Sequence, residues 1–277
     1  MYLYAQEHLS IKPIPPHTLN PRSHLSLTHI PPAATMRLPT LSALLGLLPL
    51  LTLASPALIK RATLTQVPNF GSNPSNVKMY IYVPNTLPPN PAVIVAIHYC
   101  TGTAAAYHSG TPYASLADTH GFIVVYPESP YSGGCWDVSS SASLTHNGGG
   151  NSNSIANMVD YVLTQYQADK GRVFVTGTSS GAMMTNVMAA TYPGMFKAAS
   201  VYSGVPAGCF YTGTVNGWNS TCSGGQSIHS QEVWRDTALG MYPGYTGARP
   251  KMLVMHGGAD DILLPRVSWL LGVVEKG

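Results

Sequence analysis

Charge is scarce in this sequence of 277 residues: Asp, Glu, Lys and Arg make up 9% of it, with 14 basic and 11 acidic residues. Five of the basic residues lie at or before Arg61, and from Ala62 onward nine face ten acidic ones. A chain body without a basic surplus lacks the electrostatic footprint that nucleic acid requires. Long apolar runs are missing too. The most hydrophobic stretch, residues 41–53, is broken by Pro49, whereas a membrane span needs about 20 apolar residues; no stable membrane insertion is expected. Cysteine is limited to four residues, with no CxxC pair to suggest a metal or redox site. There is no internal repeat, and no histidine follows His256. With 45% hydrophobic residues, the remainder has an ordinary globular composition.

The N-terminal part reads as targeting rather than fold. From Met36, "MRLPTLSALLGLLPLLTLASPA" has a basic start, an apolar run and the small residues Ala54, Ser55 and Ala57, the three parts of a secretory signal. Lys60-Arg61 then reads as a processing site. Residues 1–35 are rich in Pro and His and carry no helix or strand periodicity. The economical reading is that translation starts at Met36, with 1–35 a disordered gene-model extension, 36–61 signal and short pro-segment, and 62–277 a single domain. Export to an oxidising compartment favours disulfides. Of the three connectivities, Cys100–Cys135 and Cys209–Cys222 are expected, because each pair closes a loop-rich stretch. The sequon Asn219-Ser220-Thr221 marks a glycosylated surface loop of a secreted protein.

From Ala62 the pattern alternates. Residues 79–83, 92–98, 122–126, 172–176, 198–203 and 251–256 are short β-branched or aromatic runs and read as strands, most of them buried. Residues 154–167 and 180–191 have helical spacing. Strands separated by helices predict an α/β fold with a mostly parallel sheet flanked on both faces. Two long polar segments, 139–154 and 204–228, are expected to be functional or pinned.

"VFVTGTSSGAMM", residues 173–184, reads as a strand, a tight turn and the start of a helix. In such a turn a G-x-S-x-G motif exposes its serine above the sheet, which nominates Ser179 as a nucleophile. The N–H of Ser180 at the helix start can face a developing oxyanion. A second donor is expected from "HYCTGTA" after the second of these strands: Cys100, with Thr101 as the near alternative, unless this is an ordinary strand exit. Chain order then calls for an acid after a late strand, and "KMLVMHGGADD" offers Asp260 ahead of Asp261. A general base should follow, and none does. His256 is better placed to brace its turn, His98 reads as structural, and His108, His120, His146 and His229 have no motif context. Met183 and Met184 read as core filler.

With these residues assembled, the sequence resembles the fungal acetyl xylan esterases of carbohydrate esterase family one, relatives of feruloyl esterases and polyhydroxybutyrate depolymerases. The likeness spans residues 64–264. It rests on "HYCTGTA", "GGCWDVSSSASLTHNGGGNSNSI", "RVFVTGTSSGAMMTNVMAATYP", "SGVPAGCF", "NGWNSTC" and "HGGADD", in order. The resemblance implies an α/β-hydrolase, secreted and monomeric, without cofactor or metal, releasing acetyl groups from xylan through an acyl-enzyme. It implies Ser179 as nucleophile, Asp260 as acid, the Cys100 and Ser180 amides as oxyanion hole, and Trp218 as a substrate wall unless it anchors its loop. A glycan on Asn219 would crowd that wall. In such esterases the catalytic histidine lies beyond the "HG..D" block, so the chain as written is expected to be nearly inactive. Val267-Ser268 is how an in-frame intron donor would be translated, which would account for the unrelated tail. The rival readings are a feruloyl esterase, a polysaccharide-binding pseudoenzyme and a nonfunctional fragment.

Overall fold

The short β-branched runs do form one sheet. The structure is a computed structural model that describes residues 62–266; the expected extension, signal and pro-segment lie outside the described residues. In chain order the strands are β1 (Thr65–Val67), β2 (Lys78–Tyr82), β3 (Ala92–Ile97), β4 (Phe122–Glu128), β5 (Val173–Thr178), β6 (Ala198–Tyr202) and β7 (Lys251–Met255). The helices are α1 (Ala104–Gly110), α2 (Tyr113–His120), α3 (Asn151–Gln165), α4 (Ser180–Thr191), α5 (Ser220–Ser223) and α6 (Gln231–Gly240). The sheet order is β1-β2-β4-β3-β5-β6-β7. β1, β2 and β4 pair antiparallel, and β4, β3, β5, β6 and β7 pair parallel.

Alternation along the strands sorts the core into two layers. Val93, Val95, Ile97, Ile123, Val125, Val173 and Val175 share one cluster with the buried side chains of α3 and α4. Ala96, Val124, Tyr126 and Tyr82 point the other way and pack with Ala104, Tyr107 and Ala117 of α1 and α2. The central helix α4 is buried along its whole length, as expected of a helix apolar on every side. Its two interior threonines return their hydroxyl protons to carbonyls one turn back, Thr185 to Gly181 at 2.9 Å and Thr191 to Val187 at 2.7 Å.

The expected strands and α4 agree with the structure to within a few residues. The polar stretch 139–154 is shorter than its composition implies, because α3 already starts at Asn151. α1, α2 and α6 carry no clear apolar periodicity: only Ala117 is buried in α2 and only Trp234 in α6. β1 has three residues and owes its form to pairing with β2. At the opposite edge, β7 is not a buried strand. Its Met252 and Val254 face the core layer, while Leu253 and Met255 remain 52% and 43% exposed among the described residues.

The junction of β5 and α4 sits against the end of β3. A side chain at Gly181 would overlap the carbonyl oxygens of Ile97 and His98, and one at Gly177 would overlap the Gly181 carbonyl. Backbone atoms cannot rotate aside as a side chain can. Gly181→Ala is therefore expected to cost about 3 kcal/mol, near the top of the usual overpacking range, read from the urea midpoint; an unchanged midpoint would contradict this packing.

Candidate active site

Ser179 occupies the sharp turn between β5 and α4 with φ 55° and ψ −120°. A non-glycine residue with positive φ persists only when its surroundings over-determine it, and here they do. The Ser179 N–H donates to Tyr202 O at 2.9 Å, and its carbonyl accepts from Met183 N at 2.9 Å. The neighbouring Ser180 opens α4, so its N–H has no carbonyl four residues back to bond to. Its hydroxyl is committed, accepting from the Trp136 N–H at 2.8 Å.

The serine faces a cleft of about 580 Å³ at the C-terminal ends of the parallel strands, where open α/β sheets place their ligands. One side is built by Cys100, Cys135 and Trp136, the other by Asn216, Gly217 and Trp218. Both expected disulfides are present, Cys100–Cys135 with Cα atoms 4.1 Å apart and Cys209–Cys222 at 5.7 Å. The first anchors the loop after β3. Within that loop Thr101 is excluded as an oxyanion donor, since its N–H is already given to Gly133 O at 2.6 Å. The Cys100 N–H has no acceptor among the described residues and lies on the cleft. Met183, expected to be core filler only, also contributes to the cleft floor; Met184 is wholly core.

His98 is structural. Its Nδ1 donates to Tyr99 O at 2.7 Å and its Nε2 accepts from the Ser129 N–H at 3.1 Å, an arrangement that requires the neutral ring. Burial lowers its pKa and so favours that same neutral form. Its carbonyl takes the Trp136 indole N–H at 2.8 Å. Beyond β7, Asp260 caps its own turn: Oδ1 accepts from the N–H groups of Ile262 at 3.1 Å and Leu263 at 2.9 Å. Its Oδ2 lies 3.1 Å from Nε2 of His256, which also reaches Leu263 O at 2.7 Å. With a ring 1% exposed and Nε2 pointed at two acceptors, His256 braces this turn. His146 is stacked on Tyr242, His229 lies edge-on to Trp234, and His108 packs with Tyr82 and Tyr126. Among the described residues no histidine lines the cleft.

Trp218 is 55% exposed and meets Phe210 edge-on at 5.1 Å. Asn219 accepts from the Cys222 N–H through Oδ1 at 3.0 Å, capping α5. Its Nδ2 makes only a 3.4 Å contact with Tyr211 O, so the N-cap uses the oxygen and not the nitrogen that a glycan would modify. Among the described residues no cluster of His, Cys, Asp and Glu could hold a metal, and no helix is long and apolar enough to cross a membrane.

One residue escaped the sequence reading. Asp137, 1% exposed, has no ion-pair partner among the described residues. Oδ1 accepts from the backbone N–H groups of Ser139 at 3.2 Å, Ser140 at 3.1 Å and Asn216 at 3.0 Å, and lies 3.2 Å from the Ser139 hydroxyl. Oδ2 accepts from the hydroxyls of Ser140 at 2.5 Å and Ser143 at 2.7 Å. Burial alone would raise its pKa, but the bonds from Ser140, Asn216, Ser143 and Ser139 outweigh it and hold the carboxyl below the usual range. The signal in the sequence was a lone acid followed by a run of serines.

A strand–serine–helix elbow at the C-terminal ends of a mostly parallel sheet, with helices packed on both faces, defines an α/β-hydrolase. The chain belongs to the Esterase PHB depolymerase family, whose profile matches residues 75–263. An acetylxylan esterase A of Emericella nidulans is 67% identical over 205 residues, which are 73% of this chain and 67% of the relative. A relative from Aspergillus fumigatus is 64% identical over 223 residues, and the chain spans about 60% of its length. Among solved structures, an acetyl xylan esterase from Aspergillus awamori matches with a TM-score of 0.74 at 62% identity, covering 75% of this chain and 76% of that one.

The Asp137 network has a pH signature. Because its native pKa is depressed, the folded state binds fewer protons than the unfolded chain, and stability rises with pH across the window between the two values. The contribution is complete above the unfolded value of about 3.9 and is lost as pH falls through the lower native value. Urea unfolding of the wild type and of Asp137→Asn is expected to differ most above that window and to converge below it. A constant difference at every pH would contradict the assignment.

Proposed function

We propose that this chain is the hydrolase body of a secreted, monomeric serine esterase that removes acetyl groups from xylan. The observation that carries the proposal is the strained Ser179 opening onto a cleft beside the amides of Cys100 and Ser180, neither of which has an acceptor among the described residues. The acetylxylan esterases of similar sequence support the choice of substrate. The expected signal at Met36 and the two disulfides support export. Asn219 is proposed to carry a glycan at the rim of the cleft.

In the proposed reaction the Ser179 hydroxyl attacks the acetyl carbonyl while a histidine base takes its proton. The negative charge that gathers on the carbonyl oxygen is met by the N–H groups of Cys100 and Ser180, which need no rearrangement because the disulfide and the helix already fix them. The proton passes to the departing sugar oxygen, leaving Ser179 acetylated. Water, activated by the same base, then releases acetate and restores the serine. Asp260 orients the imidazole, and the base comes from outside the described residues.

A second reading is a polysaccharide-binding protein that does not hydrolyse; among the described residues no histidine lines the cleft. Acetate release from acetylated xylan separates the two. A polypeptide of these 277 residues is expected to run about 10⁴ to 10⁶-fold below the Emericella nidulans relative in kcat. Ser179→Ala should then lose little more, because members of a triad act as a unit. A rate within about tenfold of the relative would mean that the chain contains a working base. Xylan binding without any turnover would favour the binding protein. Faster hydrolysis of methyl ferulate than of acetylated xylan would make it a feruloyl esterase.

A further inference from the structure

The two walls of the cleft are held in different ways. The first is fixed by a disulfide and by Trp136, whose backbone and indole N–H groups bond Ser180 and His98. The second is carried by residues 212–218, which lack helix or strand and are exposed from Thr212 to Asn216. Such a loop does not hold its own shape. Its ties to the body converge on two side chains and one carbonyl. Ser139 O accepts from Thr212 N at 3.0 Å and Gly213 N at 3.1 Å. The Ser139 hydroxyl donates to Thr214 O at 2.9 Å and accepts from Gly217 N at 2.7 Å. Asp137 Oδ1 takes Asn216 N at 3.0 Å and also fixes the backbone N–H of Ser139.

Resting on the reading of the cleft as a xylan site, we infer that Asp137 is a positioning residue for substrate. Its buried carboxylate sets the loop that carries Trp218 at a fixed distance from the wall that holds Cys100 and Ser179. The residue is suited to this because it follows Cys135 and Trp136 directly, so the chain that forms one wall also supplies the acceptor for the other. A carboxylate does what a neutral acceptor cannot: each oxygen takes several donors at once, and bonds to a charged acceptor are roughly twice as strong as neutral ones. Trp218, half exposed beside Phe210, gives the wall a flat apolar face with one polar edge, a form that suits a sugar ring. Asp137 touches no substrate itself. It acts through Asn216, Gly217 and Trp218.

Hydrogen exchange on the 277-residue chain tests the mechanical claim without any substrate. In Asp137→Asn the amides of Asn216 and Gly217 are expected to exchange at least about tenfold faster, the scale of losing a bond to a charged acceptor, while β3 to β6 are unchanged. Ser139→Ala, which removes two of the loop's ties and one hydroxyl contact of Asp137 but keeps the carboxylate and its other donors, should accelerate Gly217 in the same way and covers the case in which Asp137→Asn does not fold. Unchanged loop amides would overturn the inference, and so would acceleration spread evenly through the sheet. The functional claim is read by calorimetric titration with xylohexaose. Asp137→Asn is expected to weaken binding about tenfold and to have no further effect in a Trp218→Ala background. Additive losses would mean that Asp137 does not act through Trp218 and would refute the inference. If the wild-type chain does not bind xylohexaose, the xylan reading fails, whereas the exchange result still decides whether Asp137 sets the loop.

Discussion

The first turn of α4 rests directly on the carbonyl ends of β3, and position 181 has no room for even a methyl group. Much of the site follows from that contact. It pulls the β5–α4 turn tight, which forces Ser179 into a conformation it would otherwise avoid and lifts its side chain above the sheet. It also places the amide of Ser180 beside the loop after β3, so that Cys100 and Ser180 come to one cleft though they are far apart in sequence. Trp136 then locks the junction from the side, with one N–H on the Ser180 hydroxyl and the other on the His98 carbonyl.

With so little charge to use, the molecule stabilises its site by hydrogen bonds rather than ion pairs. Lys78–Glu128, Arg172–Asp169 and Arg235–Asp236 are pairs with at least one well-exposed partner, a type that contributes little to stability. The buried Asp137 is handled differently. Six donors from backbone and serine replace its water, and Ser139, Ser140 and Ser143 of the serine-rich stretch after Trp136 all take part. A polar stretch expected to be functional or pinned is thus pinned by its serines around one carboxylate. His98 is another buried polar side chain, and it is accommodated as a neutral ring between a carbonyl and an amide.

Much of this was legible in the sequence, because strands and the elbow are local features. The β-branched runs marked β2 to β7, and glycines two residues on either side of Ser179 implied a turn that a bulkier chain could not make. Both disulfide pairings could be chosen because each closes a short, loop-rich stretch. Its place after the strand favours Cys100 over Thr101, but what removes Thr101, a hydrogen bond from its N–H to Gly133 across the loop, is not visible in sequence. Asp137 was invisible for the same reason: its meaning lies in Asn216, 79 residues away. α1 and α2 were missed because they bury too few side chains to show a period, whereas β7 is marked correctly as a strand by its apolar residues.

The central claim is the proposal that Ser179 is the nucleophile of an esterase site, with the amides of Cys100 and Ser180 beside it. Rescue by external imidazole tests it most directly, because a small base can enter an open cleft and take the proton of a positioned hydroxyl. Hydrolysis of a simple alkyl acetate by the 277-residue chain is predicted to rise with imidazole, saturably and above imidazole's own rate, and to show no such rise in Ser179→Ala. An equal increment in both proteins would contradict the account.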